Sequence, residues 1–122
     1  MSRVKGKDTS IERKLRSEIH GLGLRYRKHA KGLPGKPDIV FVRAKVVVFV
    51  DGDFWHGYRY PLWKHKISQF WQKKIETTRK RDQRNFRKLR RMGWKVVRIW
   101  EHTIEDDPNR AVSTVLKNVP KS

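Results

Sequence analysis

Residues 37–57 read PDIVFVRAKVVVFVDGDFWHG. Two β-branched runs, Asp38 to Val42 and Lys45 to Val50, flank Arg43-Ala44 and read as a hairpin, although Arg-Ala is not favoured turn chemistry. The second run is apolar without alternation, which predicts a strand buried on both faces. A hairpin sets the start of its first strand beside the end of its second, so Asp38 is expected next to Val50, Asp51 and Asp53. Three acidic residues then gather in a chain that holds 12 Asp and Glu against 31 Lys and Arg. Clustered carboxylates repel, a divalent cation relieves the repulsion, and hard oxygen donors suit Mg²⁺. The plainer reading is that Asp51-Gly52-Asp53 is a polar turn. Asp38, opening a buried strand after Pro37, weighs against it.

Outward from the hairpin the pattern alternates between helix and strand. Upstream, Thr9-Ser10-Ile11-Glu12 has the form of a capping box, and Ile11, Leu15, Ile19 and Leu22 recur at helical spacing until Gly21 and Gly23 end the pattern. Leu24 to Lys28 alternates and suits a short strand, and Gly32 to Pro37 is a turn. Downstream, Asp51 to Lys66 reads as a loop. A long basic helix is expected from Ser68 to Met92, closed by Gly93, then a strand from Lys95 to Trp100 and a last helix from Pro108 to Leu116. A long helix between two strands implies a crossover, so the last strand should run parallel to its neighbour. The fold class is α/β, with a mixed sheet of about four strands flanked by helices.

The bulk numbers bound the partners. At 122 residues the chain is the size of one domain, and five Trp give it apolar bulk enough to fold. A net charge of +19 opposes compaction and calls for a polyanion. Nucleic acid is the first candidate and an anionic membrane surface the second. With no cysteine, disulfides and thiolate zinc sites are excluded. The basic, polar N-terminus lacks an apolar signal region, and Val46 to Val50 is too short to span a bilayer. These features predict a soluble intracellular protein.

Further positions carry chemistry. Asp82 falls on the apolar stripe of the long helix formed by Trp71, Ile75, Phe86 and Leu89, where a carboxylate needs an ion pair, a hydrogen bond or a metal. The other faces of that helix carry Lys73, Lys74, Arg79, Lys80, Arg81, Arg84 and Arg87, a natural phosphate track. Glu12 serves equally as the capping glutamate or as a site residue. His56 follows the acidic turn and could move a proton at a phosphate. Phe54 and Trp55 beside it either stack on bases or pack into the core.

The stretches Lys7-Asp8-Thr9 to Glu12, Leu33-Pro34-Gly35-Lys36-Pro37-Asp38, Val50 to Gly57, Phe70-Trp71 to Ile75, Arg81-Asp82, Leu89 to Trp94 and Ile99-Trp100-Glu101 together resemble the very short patch repair (Vsr) endonuclease family. The Phe-Trp-His-Gly and Pro-Gly-x-Pro-Asp segments are the specific ones. The resemblance runs in the family's order over nearly the whole chain and implies a single endonuclease domain over residues 1–122 with a restriction-endonuclease-like core. It implies Mg²⁺-dependent hydrolysis of one DNA strand at a T·G mismatch, using one or two metal ions. On this resemblance Asp38, the main chain at Val50, and Asp51 lie at the metal. His56 is the general base, Glu12 and Asp82 are further acidic site positions, and Phe54 and Trp55 intercalate. The N-terminal arm, with Met1, Arg3 and Lys5, touches DNA. The partner implied is double-stranded, mismatched DNA, met by a monomer in the cytoplasm and at the nucleoid, with no membrane.

The sequence also departs from the family. A structural zinc is common there, but its positions here are Asp53, Tyr58, Tyr60 and His102, so no zinc is expected. The arm is short, which bears on mismatch specificity more than on cleavage. The lysine usual in the wider nuclease fold is absent near Asp51-Gly52-Asp53, so His56 has to take its part. The rival readings are a homing-type or other non-mismatch nuclease, a non-catalytic basic nucleic-acid-binding module, and a ribosome-associated protein.

Overall fold

A computed structural model describes residues 10–28 and 32–119. Met1, Arg3 and Lys5 lie outside that range, as does Thr9, on which the capping-box reading depends. Helix α1 spans Ser10–Gly21 and buries Leu15 and Ile19. Leu22, expected on the same apolar face, is 54% exposed because the helix stops at Gly21 and the chain turns there. The short strand β1 is only Arg27–Lys28.

The hairpin forms as expected, with tighter strands. β2 is Ile39–Phe41 and β3 is Val46–Asp51, paired antiparallel with Val40 opposite Val47. Arg43-Ala44 does not make a two-residue turn. Four residues, Val42 to Lys45, close the connection, with the Lys45 N–H on the Val42 carbonyl at 3.3 Å and Lys45 at φ 58°. Two-residue hairpin turns need glycine or asparagine chemistry that Arg-Ala lacks, so the chain spends two more residues on the bend.

All six residues of β3 are buried, the mark of a central strand. The sheet order is β1-β2-β3-β4, with β4 spanning Lys95–Trp100 and running parallel to β3, Asp51 opposite Trp100. Between them the chain crosses over through α3, Gln69–Arg91, capped by the Ser68 hydroxyl, which accepts from the Trp71 N–H. The segment expected as one loop before it contains a short helix α2, Tyr60–Trp63, and a 3₁₀ turn, Lys64–Lys66. Pro61 near the start of α2 presets its backbone. After β4 come α4, Glu101–Asp106, which the sequence reading missed, and α5, Pro108–Asn118.

The pleat sorts the core into two layers. Ile39, Phe41, Val48, Val50, Val97 and Ile99 pack with Leu15 and Ile19 of α1, Ile104 of α4 and Val115 of α5. Val40, Val47 and Phe49 face the other way, against Phe86 and Leu89 of α3. Each such side chain removed from water contributes about 1.5–3 kcal/mol before entropy is counted. The same alternation puts Asp38, in phase with Val40, and Asp51, in phase with Phe49, on the α3 side of the sheet.

Candidate active site

Where β3 ends, its last residue, Asp51, breaks the apolar layer, and α3 brings a second carboxylate, Asp82, to the same place. Asp51 and Asp82 are both buried, at 6% and 8% exposure. The arrangement holds because two cationic or hydrogen-bonding groups reach them. His56 Nδ1 lies 2.7 Å from Asp82 Oδ2, and its Nε2 lies 3.5 Å from Asp51 Oδ1. From the middle of β4, Arg98 donates through Nε to Asp51 Oδ2 at 2.7 Å and through an Nη to Asp82 Oδ2 at 2.8 Å. A ligand atom from each of Asp51, His56 and Asp82 lies within 4.8 Å of the other two.

The hydrogen bond fixes the imidazole. A carboxylate accepts only, so Nδ1 donates to Asp82, and whenever the ring is neutral the lone pair is left on Nε2. The ring is held from the backbone as well. His56 N–H donates to the Gly52 carbonyl and Gly57 N–H to that of Phe54, folding residues 52–57 into a compact turn. Gly57 sits at φ 71°, and a Cβ there would stand 2.7 Å from Arg79 Cδ and 3.1 Å from Ile75 Cγ2, so glycine is what lets this turn lie flat on α3.

Asp38 reaches the same end of the sheet by another route. Its Oδ2 accepts from the Val50 N–H at 2.7 Å, as the hairpin register requires. Asp38 thus lies beside Val50, as expected, while the close cluster consists of Asp51, His56 and Asp82. Asp53 does not join the acidic group as expected. Its Oδ1 pairs with His102 Nδ1 at 3.0 Å, because the strand has ended and the chain has turned toward α4. The Tyr58 ring packs on His102 and Trp100, at 4.5 and 5.0 Å between centroids. Tyr60 points away and donates to Glu76 Oε2 at 2.8 Å. Glu12 lies on α1, across the sheet from α3, with Arg16 Nη1 3.3 Å from its carboxylate.

His56 opens onto a cleft of about 660 Å³ whose walls include Arg59, Arg79, Lys80, Arg84, Arg87 and Arg98. A second groove, carrying Trp55, Lys73, Lys74 and Arg81, runs along another face of α3. Aromatic residues cluster beside the second groove, which Trp55 and Phe70 line. Phe54, 40% exposed, stacks on Trp63 at 5.5 Å and meets Trp55 and Trp71 edge-on at 5.4 and 5.9 Å. Trp55 is half-buried against Trp71. These rings form a surface ridge and not part of either core layer.

Burial pushes the Asp51 carboxyl above its ordinary value of 3.8; His56 and Arg98 pull it down, and Asp82 adds to the rise. A carboxyl raised on folding holds its proton more firmly in the folded state. Its contribution to stability is therefore full below the unfolded value and is lost as pH rises through the folded one. We expect the unfolding free energy of the wild type minus that of Asp51→Asn to fall as pH is raised from just below 4. Urea unfolding at a series of pH values measures it, and a difference that grows with pH reverses the assignment.

Arg98 was not singled out from the sequence. The signal was present: in Lys95 to Trp100, Val97 and Ile99 mark one face, so Arg98 shares the other with Val96 and Trp100, which α3 covers. A charged residue facing a covered layer needs a partner.

A family model described as DNA mismatch endonuclease Vsr matches residues 1–62. The type II nicking enzyme V.XorIIP of Xanthomonas oryzae pv. oryzae is 42% identical over 108 residues, covering 87% of this chain and 79% of that protein. The type II nicking enzyme V.NmeDIP of Neisseria meningitidis serogroup C is 41% identical, covering 85% of this chain and 72% of the other. The DNA mismatch endonuclease Vsr of Escherichia coli K12 is 37% identical over 103 residues, covering 83% and 66%.

Proposed function

We propose that this chain, which belongs to the Vsr family of DNA mismatch endonucleases, is a DNA endonuclease that hydrolyses a phosphodiester bond in one strand of a duplex at a T·G mismatch. The observation that carries the reading is the His56–Asp82 contact of 2.7 Å, set beside Asp51 at the mouth of an arginine-lined cleft. An imidazole whose Nδ1 proton is tied to a buried carboxylate presents Nε2 as a base, and a phosphate drawn in by the surrounding guanidinium groups would lie within its reach.

The donor set fits a divalent metal. Asp38 is buried and held in orientation by the Val50 N–H, Asp51 stands nearby, and oxygen donors with no sulfur suit Mg²⁺. Asp38 and the main chain at Val50 would hold the ion, one or two in number, with Asp51 beside it. When bound, Mg²⁺ supplies charge stabilisation at the phosphate and lowers the pKa of its water. The remaining work falls to the chain. His56 Nε2 takes a proton from the attacking water and Asp82 holds the ring in that tautomer. Phe54 and Trp55 open the base stack, and α3 grips the backbone through Lys73, Lys74, Arg79 and Lys80. Glu12 has the weakest claim on the chemistry, given its place on α1 and its pairing with Arg16.

We place Met1, Arg3 and Lys5 on the DNA as an N-terminal arm. The whole chain, residues 1–122, then acts as one domain and as a monomer on intracellular, nucleoid DNA. No described helix is long and apolar enough to cross a membrane. The experiment incubates the protein with a fluorescently end-labelled duplex, T·G-mismatched or matched, with Mg²⁺ or EDTA. We expect Mg²⁺-dependent nicks in one strand of the mismatched duplex. Equal nicking of matched DNA would move the reading to a nuclease without mismatch specificity. Binding with no nick in any condition would leave a basic nucleic-acid-binding module.

A further inference from the structure

Asp51 and Asp82 form the acidic pair closest to His56, and two carboxylates at one spot invite a metal. In this chain another cation is already there. Arg98 bridges them, with Nε on Asp51 Oδ2 at 2.7 Å and an Nη on Asp82 Oδ2 at 2.8 Å. Its guanidinium packs on two rings, 4.2 Å from the Trp100 ring centroid and 5.1 Å from that of Phe86, and the side chain is only 20% exposed. Charge-assisted bonds at these lengths, on a fork packed against two rings, cost little further ordering to maintain. A Mg²⁺ bound by the same two oxygens would need both about 2.0–2.1 Å away and would stand against a fixed positive charge.

We propose that Arg98 is a positioning residue that takes the place of a metal between Asp51 and Asp82. It holds Asp82 against Nδ1 of His56 and confines the divalent cation to the Asp38 side of the site. The inference rests on the nuclease reading above and deepens it. A strand residue is well suited to the task. Arg98 lies opposite Phe49 in the parallel register of β3 and β4, so the sheet itself fixes its distance from Asp51, two residues further along β3. One of the pair's two negative charges is thereby compensated, and both carboxylates are held in place before any metal or DNA arrives. His56 meets Asp82 in the same geometry whether the Asp38 side is loaded or not.

The test uses the full chain without DNA and reads Mn²⁺ uptake by electron paramagnetic resonance. Arg98→Met keeps the packing against Phe86 and Trp100 and removes the charge. We expect it to bind Mn²⁺ about 10- to 100-fold more tightly than the wild type, the order set by removing one positive charge a few ångströms from a divalent ion. The gain should vanish in Arg98→Met/Asp51→Asn and be absent in Arg98→Lys, which keeps the charge. Equal Mn²⁺ uptake by wild type and Arg98→Met overturns the proposal.

A second readout needs no variant to fold except for signal assignment. The Arg98 Nε–H resonance of the wild type should stay in place as Mg²⁺ is added, and its displacement by Mg²⁺ overturns the proposal. In nicking assays Arg98→Met should lose about 10- to 100-fold in kcat with KM for DNA little changed, and Arg98→Lys should recover part of the loss. Unchanged kcat in Arg98→Met counts against the positioning role. If the wild type itself nicks nothing, the nuclease reading fails, while the Mn²⁺ and resonance measurements still judge Arg98.

Discussion

His56→Ala should lose about 10²- to 10⁴-fold of the nicking rate at saturating DNA, the contribution typical of one positioned general base. The loss should fall on kcat. His56 contributes one imidazole to a cleft whose walls otherwise carry several guanidinium groups, so affinity for the duplex should change by no more than a few-fold. Folding should survive too. The ring is partly exposed, and Asp82 keeps Arg98 when Nδ1 is removed, so the cost in stability is about 1 kcal/mol. Single-turnover nicking of a T·G duplex, together with duplex binding in EDTA and a thermal melt, separates the three effects. Wild-type nicking by the mutant would remove the imidazole from the mechanism. A collapse in DNA affinity at unchanged kcat would make His56 a phosphate ligand and not a base.

The importance of His56 is legible in the sequence because Asp38, Asp51 and His56 sit within one hairpin and its exit. Strand pairing is a local consequence of two β-branched runs, and the pairing alone brings Asp38 to the Val50 N–H. The 23-residue helix α3 was equally legible, since Ile75, Asp82, Phe86 and Leu89 share a face at helical spacing and Ser68 caps its start. Asp82 betrayed itself by being a charge on that face.

What the sequence concealed is which partner each charge would find. His56 and Asp82 are 26 positions apart, and Arg98 and Asp51 are 47, so their meeting depends on the crossover and on the register of β3 with β4. Asp53 was misread for the same reason. As a neighbour of Asp51 in sequence it looked like part of one acidic group, but the chain turns after Asp51, and the partner it finds is His102, on a helix that periodicity did not reveal. A six-residue helix such as α4 has too few apolar positions for a period to show. The surface ridge of Phe54, Trp55, Trp63 and Trp71 was half-visible: the pair at 54–55 stood out, while its joining with Trp63 and Trp71 required the fold.

The charge of the molecule, finally, should appear as a steep dependence of DNA binding on salt. Two grooves border α3. One carries Arg59, Arg79, Lys80, Arg84 and Arg87 beside His56, and the other carries Lys73, Lys74 and Arg81 beside Trp55. Arg98 does not belong in this set, because its charge is spent on Asp51 and Asp82. If these eight cations each neutralise one phosphate, the logarithm of the binding constant falls with the logarithm of salt concentration at a slope of about −7, and affinity drops about 10⁴-fold between about 50 and 200 mM salt. Fluorescence anisotropy of a labelled duplex in EDTA measures the slope without cleavage. Arg84→Gln/Arg87→Gln and Lys73→Gln/Lys74→Gln should each flatten it by about 2, and equally for matched and mismatched DNA, because phosphate contacts carry no sequence information. A pair of substitutions that leaves the slope unchanged marks that groove as solvated surface, and DNA would then have to be routed along the other side of α3 alone.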